Sequence, residues 1–233
     1  MSDKKGAQTR VVAVDALNRR FADSVPLDVV YRSSPYLDLS IQDQGLVREL
    51  VDGVLRSRER IDFYISNLSD RQLNRIDQII LWILRVSLYE MESLRIPHYA
   101  SVHTAVSLCK SVGKTSAKGF VNAVLRGFQR HPPQLPAGNS AEALAVRYSH
   151  PHWLVVRYLD RWGLQPSIEM LERNNKLPEP TLWVNPDRIE MTEFCETLVA
   201  DGFQVEVVAE VPNCARVSGR RLTDHALYRE GYC

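Results

Sequence analysis

A chain of 233 residues with 45% hydrophobic and 24% charged residues has the composition of a globular protein, sized for one large domain or two small ones. That balance excludes intrinsic disorder and collagen-like arrays; no run of roughly 18 uncharged apolar residues occurs, and residues 1–10 are polar and charged, so neither a membrane span nor a secretory signal is expected and the expected compartment is cytoplasmic. The net charge of +1 hides an asymmetry: residues 1–130 hold 19 Lys and Arg against 14 Asp and Glu, net +5, whereas residues 131–233 hold 10 against 14, net −4.

In chain order, Val11, Val14, Leu17 and Phe21 form an apolar stripe at helical spacing, with Asp15 and Arg19 as an i, i+4 pair on another face. Residues 42–58 repeat the pattern through Leu46, Leu50, Val51, Val54 and Leu55, and a short helical segment follows at 61–68. Ser69 and Gln72 make a capping-box signature before Leu73, Ile76, Ile79, Ile80, Ile83, Leu84 and Leu88. That helix is apolar on more than half its circumference and is expected at the buried centre of a bundle. After Pro97, Ser101 is the expected cap of a helix with Val102, Ala105, Val106 and Cys109 inward, stopping at Gly113. The next helix, 119–130, sets Phe120, Val121, Val124, Leu125 and Phe128 on one side and Arg126 and Arg130 on another. Six or seven helices and no strand make residues 1–130 an all-α bundle.

Residues 131–140 read HPPQLPAGNS, three prolines and a glycine without apolar periodicity, and a linker is expected over 131–147. The remainder, 148–233, changes character. Pro151 opens a helix carrying Trp153, Leu154, Tyr158 and Trp162 and ending at Gly163, and a second short helix runs over 167–174. A strand at 181–185, a helix at 192–201 closed by Gly202, and strands at 204–208 and 215–218 give a β-α-β-β order, hence a small α+β unit. The expected fold is mainly α: a helical bundle followed by a small α+β extension.

Gly113, Lys114 and Thr115 imitate the end of a phosphate loop, but Leu108 stands where its first glycine belongs and no strand precedes it. Cys109, Cys195, Cys214 and Cys233 are far apart, with no C-x-x-C pair, and read as packed thiols. His98 and His103 are five apart, off the helical metal-pair spacing, and His150 and His152 flank Pro151, so no metal ligands are expected. Glu190, Glu193 and Glu196 read as a solvated helix face, and Asn122 as a structural amide. No two glycines stand one residue apart, so a G-x-G cofactor loop is missing, and no catalytic constellation is evident.

Charge is the informative feature. Residues 93–141 contain no acidic residue yet carry Arg95, Lys110, Lys114, Lys118, Arg126 and Arg130. Of these, Lys110, Lys114, Lys118, Arg126 and Arg130, with Arg10, Arg19 and Arg20 on the first helix, are the candidate phosphate-contacting residues of a nucleic-acid-binding surface, since clustered cations release condensed counterions on neutralising a phosphate backbone. Surface helices are rich in Lys and Arg in any case; the missing acids tilt the reading toward binding.

Several blocks are similar to one family in order and spacing: GFVNAVLRGFQR from Gly119, LVRELVDGVLRSRERIDFYI from Leu46, ILRVSLYEM from Ile83, IPHYASVHTAVSLCK from Ile96, YSHPHWLVVRYLDRWG from Tyr148 and LERNNKLPEPTLWVN from Leu171. They resemble the NusB-like RNA-binding domain fused to the N-terminus of the RsmB (Sun/Fmu) ribosomal RNA cytosine-C5 methyltransferases. The resemblance implies a NusB-like bundle over 1–130 and, over 148–233, the extension that precedes a Rossmann-like core, which would begin beyond Tyr232. The family's catalytic cysteines lie in Pro-Cys and Thr-Cys dipeptides. Here the cysteines follow Leu108, Phe194, Asn213 and Tyr232, so no catalytic role carries over, S-adenosylmethionine is expected only in the full-length family, and this chain is expected to be inactive alone. What carries over is RNA binding, with Arg10 matching the basic start of the first helix; the other seven cations extend that assignment by charge alone. The implied partners are ribosomal RNA and the missing core. The alternatives are a module that binds protein partners or weakly itself through apolar helix faces, and a NusB-type transcription antitermination factor.

Overall fold

The computed structural model describes residues 2–94, 96–177, 181–219 and 222–233, with side chains from residue 6 onward; Arg95 of the acid-free stretch lies outside them. The chain divides into two compact units, 1–175 and 176–233.

The first unit is helical: α1 (Ser2–Ala22), α2 (Leu27–Val30), α3 (Ile41–Arg56), α4 (Arg58–Leu68), α5 (Gln78–Ser93), α6 (His98–Ser111), α7 (Lys118–Arg130), α8 (Ala141–Tyr148), α9 (His152–Trp162) and α10 (Leu164–Asn174). The apolar run ILWILRVSL leaves α5 no face suited to water, and every residue from Ile80 to Met91 is buried. Helices α1, α3, α4, α6 and α7 all pack against it. Two charges travel inward with it. Arg85 donates from two nitrogens to both carboxylate oxygens of Asp62 on α4, each at 2.7 Å, with its guanidinium 4.3 Å from the Trp82 ring centroid; Glu90 accepts from Arg10 Nε on α1 at 2.7 Å. These ties join α5 to two neighbours at fixed register.

At Gly53, α3 lies tightly against the Tyr89 ring of α5. A Cβ there would stand 2.0 Å from Cζ of Tyr89, whose hydroxyl donates to Glu49 at 2.5 Å and so holds the ring in place. Gly53→Ala is therefore expected to destabilise the bundle by about 1–3 kcal/mol through overpacking, despite alanine's better helix propensity, and to lower the urea midpoint accordingly.

Helix starts are where the structure departs from the sequence pattern. The central helix begins at Gln78, capped by Asp77, whose Oδ1 accepts from the Ile79 amide at 3.1 Å. Ser69 instead accepts from the Arg71 amide in a local turn, and Leu73–Arg75 forms a 3-10 turn that ends at extended Ile76. Ser101 is not a cap: α6 starts one turn earlier, behind Pro97, which buries Ser101 within the helix. Phe21 closes the first stripe yet is 40% exposed, its ring 5.0 Å from that of Trp82. Gly113 ends α6 as expected, at φ 72°.

The second half of the expected linker is helical. Ser140 accepts from the Ala143 amide and starts α8, which packs on α4 and, with α9 and α10, encloses Leu144, Ala145, Val155 and Leu171. Composition placed the change of character at 148, whereas compactness divides the chain after Asn175, because α8 packs on α4 of the bundle and α9 and α10 pack on α8.

The second unit contains β1 (Thr181–Trp183), α11 (Met191–Ala200), β2 (Gln204–Val207), β3 (Cys214–Ser218) and α12 (Ala226–Arg229). The strands form an antiparallel sheet in the order β1-β3-β2, with Leu182 opposite Ala215 and Val205 opposite Val217. Those apolar residues join Phe194 and Leu198 of α11 in the core. The β-α-β-β order is as the pattern predicts; α2 and α12, one turn each, were not signalled.

Candidate nucleic-acid interface

Helices α6 and α7 pack as an antiparallel pair joined by residues 112–117, so an acid-free stretch of sequence becomes one neighbourhood in space. Lys110 lies in the last turn of α6, Lys114 in the connection, Lys118 at the first position of α7, and Arg126 and Arg130 farther along it. On α7, Lys118, Asn122, Arg126 and Arg130 recur every four residues, about 6 Å of rise per step, in a stripe that begins on the flank of the buried Val121, Val124, Leu125 and Phe128 and turns away from them toward Arg130. Arg126 Nε donates to Asn122 Oδ1 at 3.0 Å, and Arg130 Nε to the Arg126 carbonyl at 3.3 Å. Asn122 thus orients an arginine, a structural role that keeps it within the basic stripe.

Among the described residues, Lys110, Lys118, Arg126 and Arg130 stand in no ion pair, whereas Lys114 is tied to Asp77 at 2.5 Å. The Lys114 ammonium holds the Asp77 carboxyl below the usual carboxylate range, a hold the helix-start amides of Ile79 and Ile80 reinforce. Beside this pair, Arg71 lies 4.8 Å from the Phe120 ring centroid, and the two groups flank a recess of about 380 Å³. Arg71 was not singled out in the sequence: it sits in the turn before α5, and only the fold brings it to Lys114.

The α1 cations are differently placed. Arg10 is consumed inside the bundle, its side chain 12% exposed and bonded to Glu90 and to the Gly6 carbonyl. Burial raises the Glu90 carboxyl's pKa, and the Arg10 guanidinium opposes that shift. Arg19 lies 3.9 Å from Asp15, and Arg20 lies over the Phe21 ring at 5.6 Å. The eight candidates therefore separate into an α6–α7 group with four unpaired cations and an α1 group already engaged with protein.

A groove between α6 and α7 adds Tyr99 and Gln129, which the sequence reading passed over, to residues it had weighed separately. Tyr99, His103 and Val106 form one wall and Asn122, Arg126 and Gln129 the other, enclosing about 250 Å³. Their spacings of three and four residues were legible; the apposition of the two walls was not.

The cysteines and the acidic helix face lie in other surroundings. Cys109 and Cys214 are buried, Cys195 and Cys233 half-buried, and burial raises the thiol pKa of Cys109, Cys195 and Cys233, away from nucleophilic thiolate. Glu190, Glu193 and Glu196 are exposed. The residues present do not fit S-adenosylmethionine: no G-x-G turn occurs in the chain, and the described strands pair antiparallel rather than in a parallel βαβ unit. Among the described residues, no cluster of three His, Cys, Asp or Glu could hold a metal ion, and no helix is long and apolar enough to cross a membrane.

Comparison with known proteins agrees with this architecture. The NusB family matches residues 7–130, and the family described as methyltransferase RsmF/B-like, ferredoxin-like domain matches residues 150–221. A probable ribosomal RNA small subunit methyltransferase B of Bacillus subtilis (strain 168) is 31% identical over 212 residues, covering 87% of this chain and 46% of its own length. A ribosomal RNA small subunit methyltransferase B of Cronobacter sakazakii is 28% identical over 214 residues, covering 92% of this chain and 49% of its own length. The chain thus spans about half the length of these relatives. The crystal structure of PH0851 has a similar fold, with a TM-score of 0.67 at 18% identity over 98% of this chain and 52% of its own length. With one family match covering more than half of its residues, the chain belongs to the NusB family, extended by a ferredoxin-like domain of the RsmF/B methyltransferase type.

Proposed function

We propose that this chain is the RNA-binding, substrate-positioning part of a ribosomal RNA cytosine-C5 methyltransferase. Residues 1–130 hold the RNA, and methyl transfer from S-adenosylmethionine belongs to a core outside this sequence. The observation that carries the reading is the α6–α7 surface, where Lys110, Lys118, Arg126 and Arg130 stand without carboxylate partners among the described residues, in a stretch lacking acids. Such cations gain by displacing counterions from a phosphate backbone, whereas they offer little to an apolar protein partner. The names of the relatives supply the class of RNA.

The test is the salt dependence of binding to a ribosomal RNA fragment, followed by fluorescence anisotropy. Four phosphate contacts give a log–log slope of about −3 to −3.5, so raising salt fourfold should weaken binding on the order of a hundredfold. A flat salt response, or no binding, overturns the assignment.

A further inference from the structure

The α6–α7 groove is more than a charged surface, because it adds an aromatic face and directional hydrogen-bonding groups to the cations. Tyr99 is 73% exposed at its mouth, Val106 supplies an apolar wall, and His103, Asn122, Gln129 and Arg126 supply polar edges. We propose that this groove holds one unpaired nucleotide, its base stacked on the Tyr99 ring and its phosphate held by Arg126. The inference rests on the RNA-binding reading above and adds to it a requirement for single-stranded RNA at this position.

Three features select this ligand. The volume, about 250 Å³, is below the roughly 300–1,000 Å³ of sites that enclose a whole drug-sized molecule, and suits one flat ring. Packed helices lie about 8–10 Å apart, so the groove between their side chains is too narrow for a double helix, and an A-form duplex keeps its bases stacked inside; only a splayed-out base can enter. The hydrogen bonds already made define what remains. Asn122 Oδ1 is engaged by Arg126 Nε, which leaves the amide's N–H donors for a base carbonyl and the terminal guanidinium nitrogens for phosphate oxygens. A tyrosine face accepts any base, so the expected preference is for strandedness more than for sequence.

The experiment measures binding of a labelled single-stranded RNA, and of the same RNA annealed to its complement, by wild-type chain, Tyr99→Ala and Tyr99→Phe at one salt concentration. Tyr99 is exposed, so neither substitution disturbs the core. Tyr99→Ala should lose about fivefold or more for the single strand, the equivalent of one base–aromatic stack, and less than about twofold for the duplex. Tyr99→Phe should match wild type, since the ring is what stacks. If wild type binds RNA with the expected salt slope but Tyr99→Ala binds the single strand unchanged, the nucleotide pocket is overturned while RNA binding stands, and the groove is left to a protein side chain. If Tyr99→Phe falls with Tyr99→Ala, stacking is overturned in favour of a hydroxyl contact. If neither RNA binds, both readings fall together.

Discussion

Arg10→Ala should lower the unfolding free energy by about 3–5 kcal/mol, the cost of stripping one partner from a buried ion pair. Glu90 is 2% exposed and sits within the most buried helix of the bundle, so the variant leaves a carboxylate in an apolar setting without its cation. Against a typical total stability of about 5–15 kcal/mol, that loss should be plain in a urea titration at neutral pH. The pH dependence carries a definite sign. Burial already raises the Glu90 pKa above its unfolded value in the presence of Arg10, and removing Arg10 raises it further. A carboxyl with a raised folded pKa binds more protons folded than unfolded between the two values, so its penalty grows as pH rises through that window and shrinks as pH falls. The Arg10→Ala deficit should therefore narrow from pH 7 toward the carboxylate range, whereas a deficit independent of pH would show that Glu90 is not its cause. Replacing both partners with apolar residues should recover much of the stability. RNA affinity per folded molecule should change little, because the guanidinium is spent on Glu90 rather than on phosphate.

Arg10 also shows what the sequence could and could not reveal. Its charge and its place on the first helix were legible, and both are shared by RNA-binding and structural arginines. Its partner lies eighty residues away on a helix whose apolar pattern advertised only burial, so no local spacing could reveal the pair. The central helix was readable because ILWILRVSL is apolar on more than half its circumference, and α7 because its apolar and basic residues fall on different sides. Boundaries were less legible where two caps competed. Ser69 and Gln72 have capping-box spacing, but the backbone turns extended at Ile76, and Asp77 starts the helix instead. Helix α8 was missed because its eight residues show little periodicity, although Ser140 was a cap in plain view. The basic stretch was read correctly as free of acids; that Lys114 is neutralised by Asp77, and that Tyr99 faces Arg126 across a groove, are products of helix packing.

Combining Lys110→Glu, Lys118→Glu and Arg126→Glu should abolish most RNA binding while leaving the bundle folded. Each cation that contacts a phosphate contributes about one unit of salt slope, so the triple variant should lose roughly two to three units and more than about a hundredfold in affinity at moderate salt. None of the three is in an ion pair among the described residues, so reversal breaks no internal salt bridge. Glutamate at position 118 opens α7 and is favoured by the helix dipole there; at position 110, in the last turn of α6, it is disfavoured by about 0.3–1 kcal/mol, a cost the urea midpoint should show as small. Lys114→Ala is the informative control. Its ammonium already neutralises Asp77, so it should cost little RNA affinity and act on folding instead. With Lys114 present, Asp77 has a depressed folded pKa and supplies stability above its unfolded pKa that is lost as pH falls through the folded value. Without Lys114 most of that acid-side loss should vanish, because its main cause has gone. Were Lys114→Ala to weaken RNA binding as much as Lys118→Ala, the Asp77 pair would have to open on binding, and the basic surface would extend across the connection to Arg71.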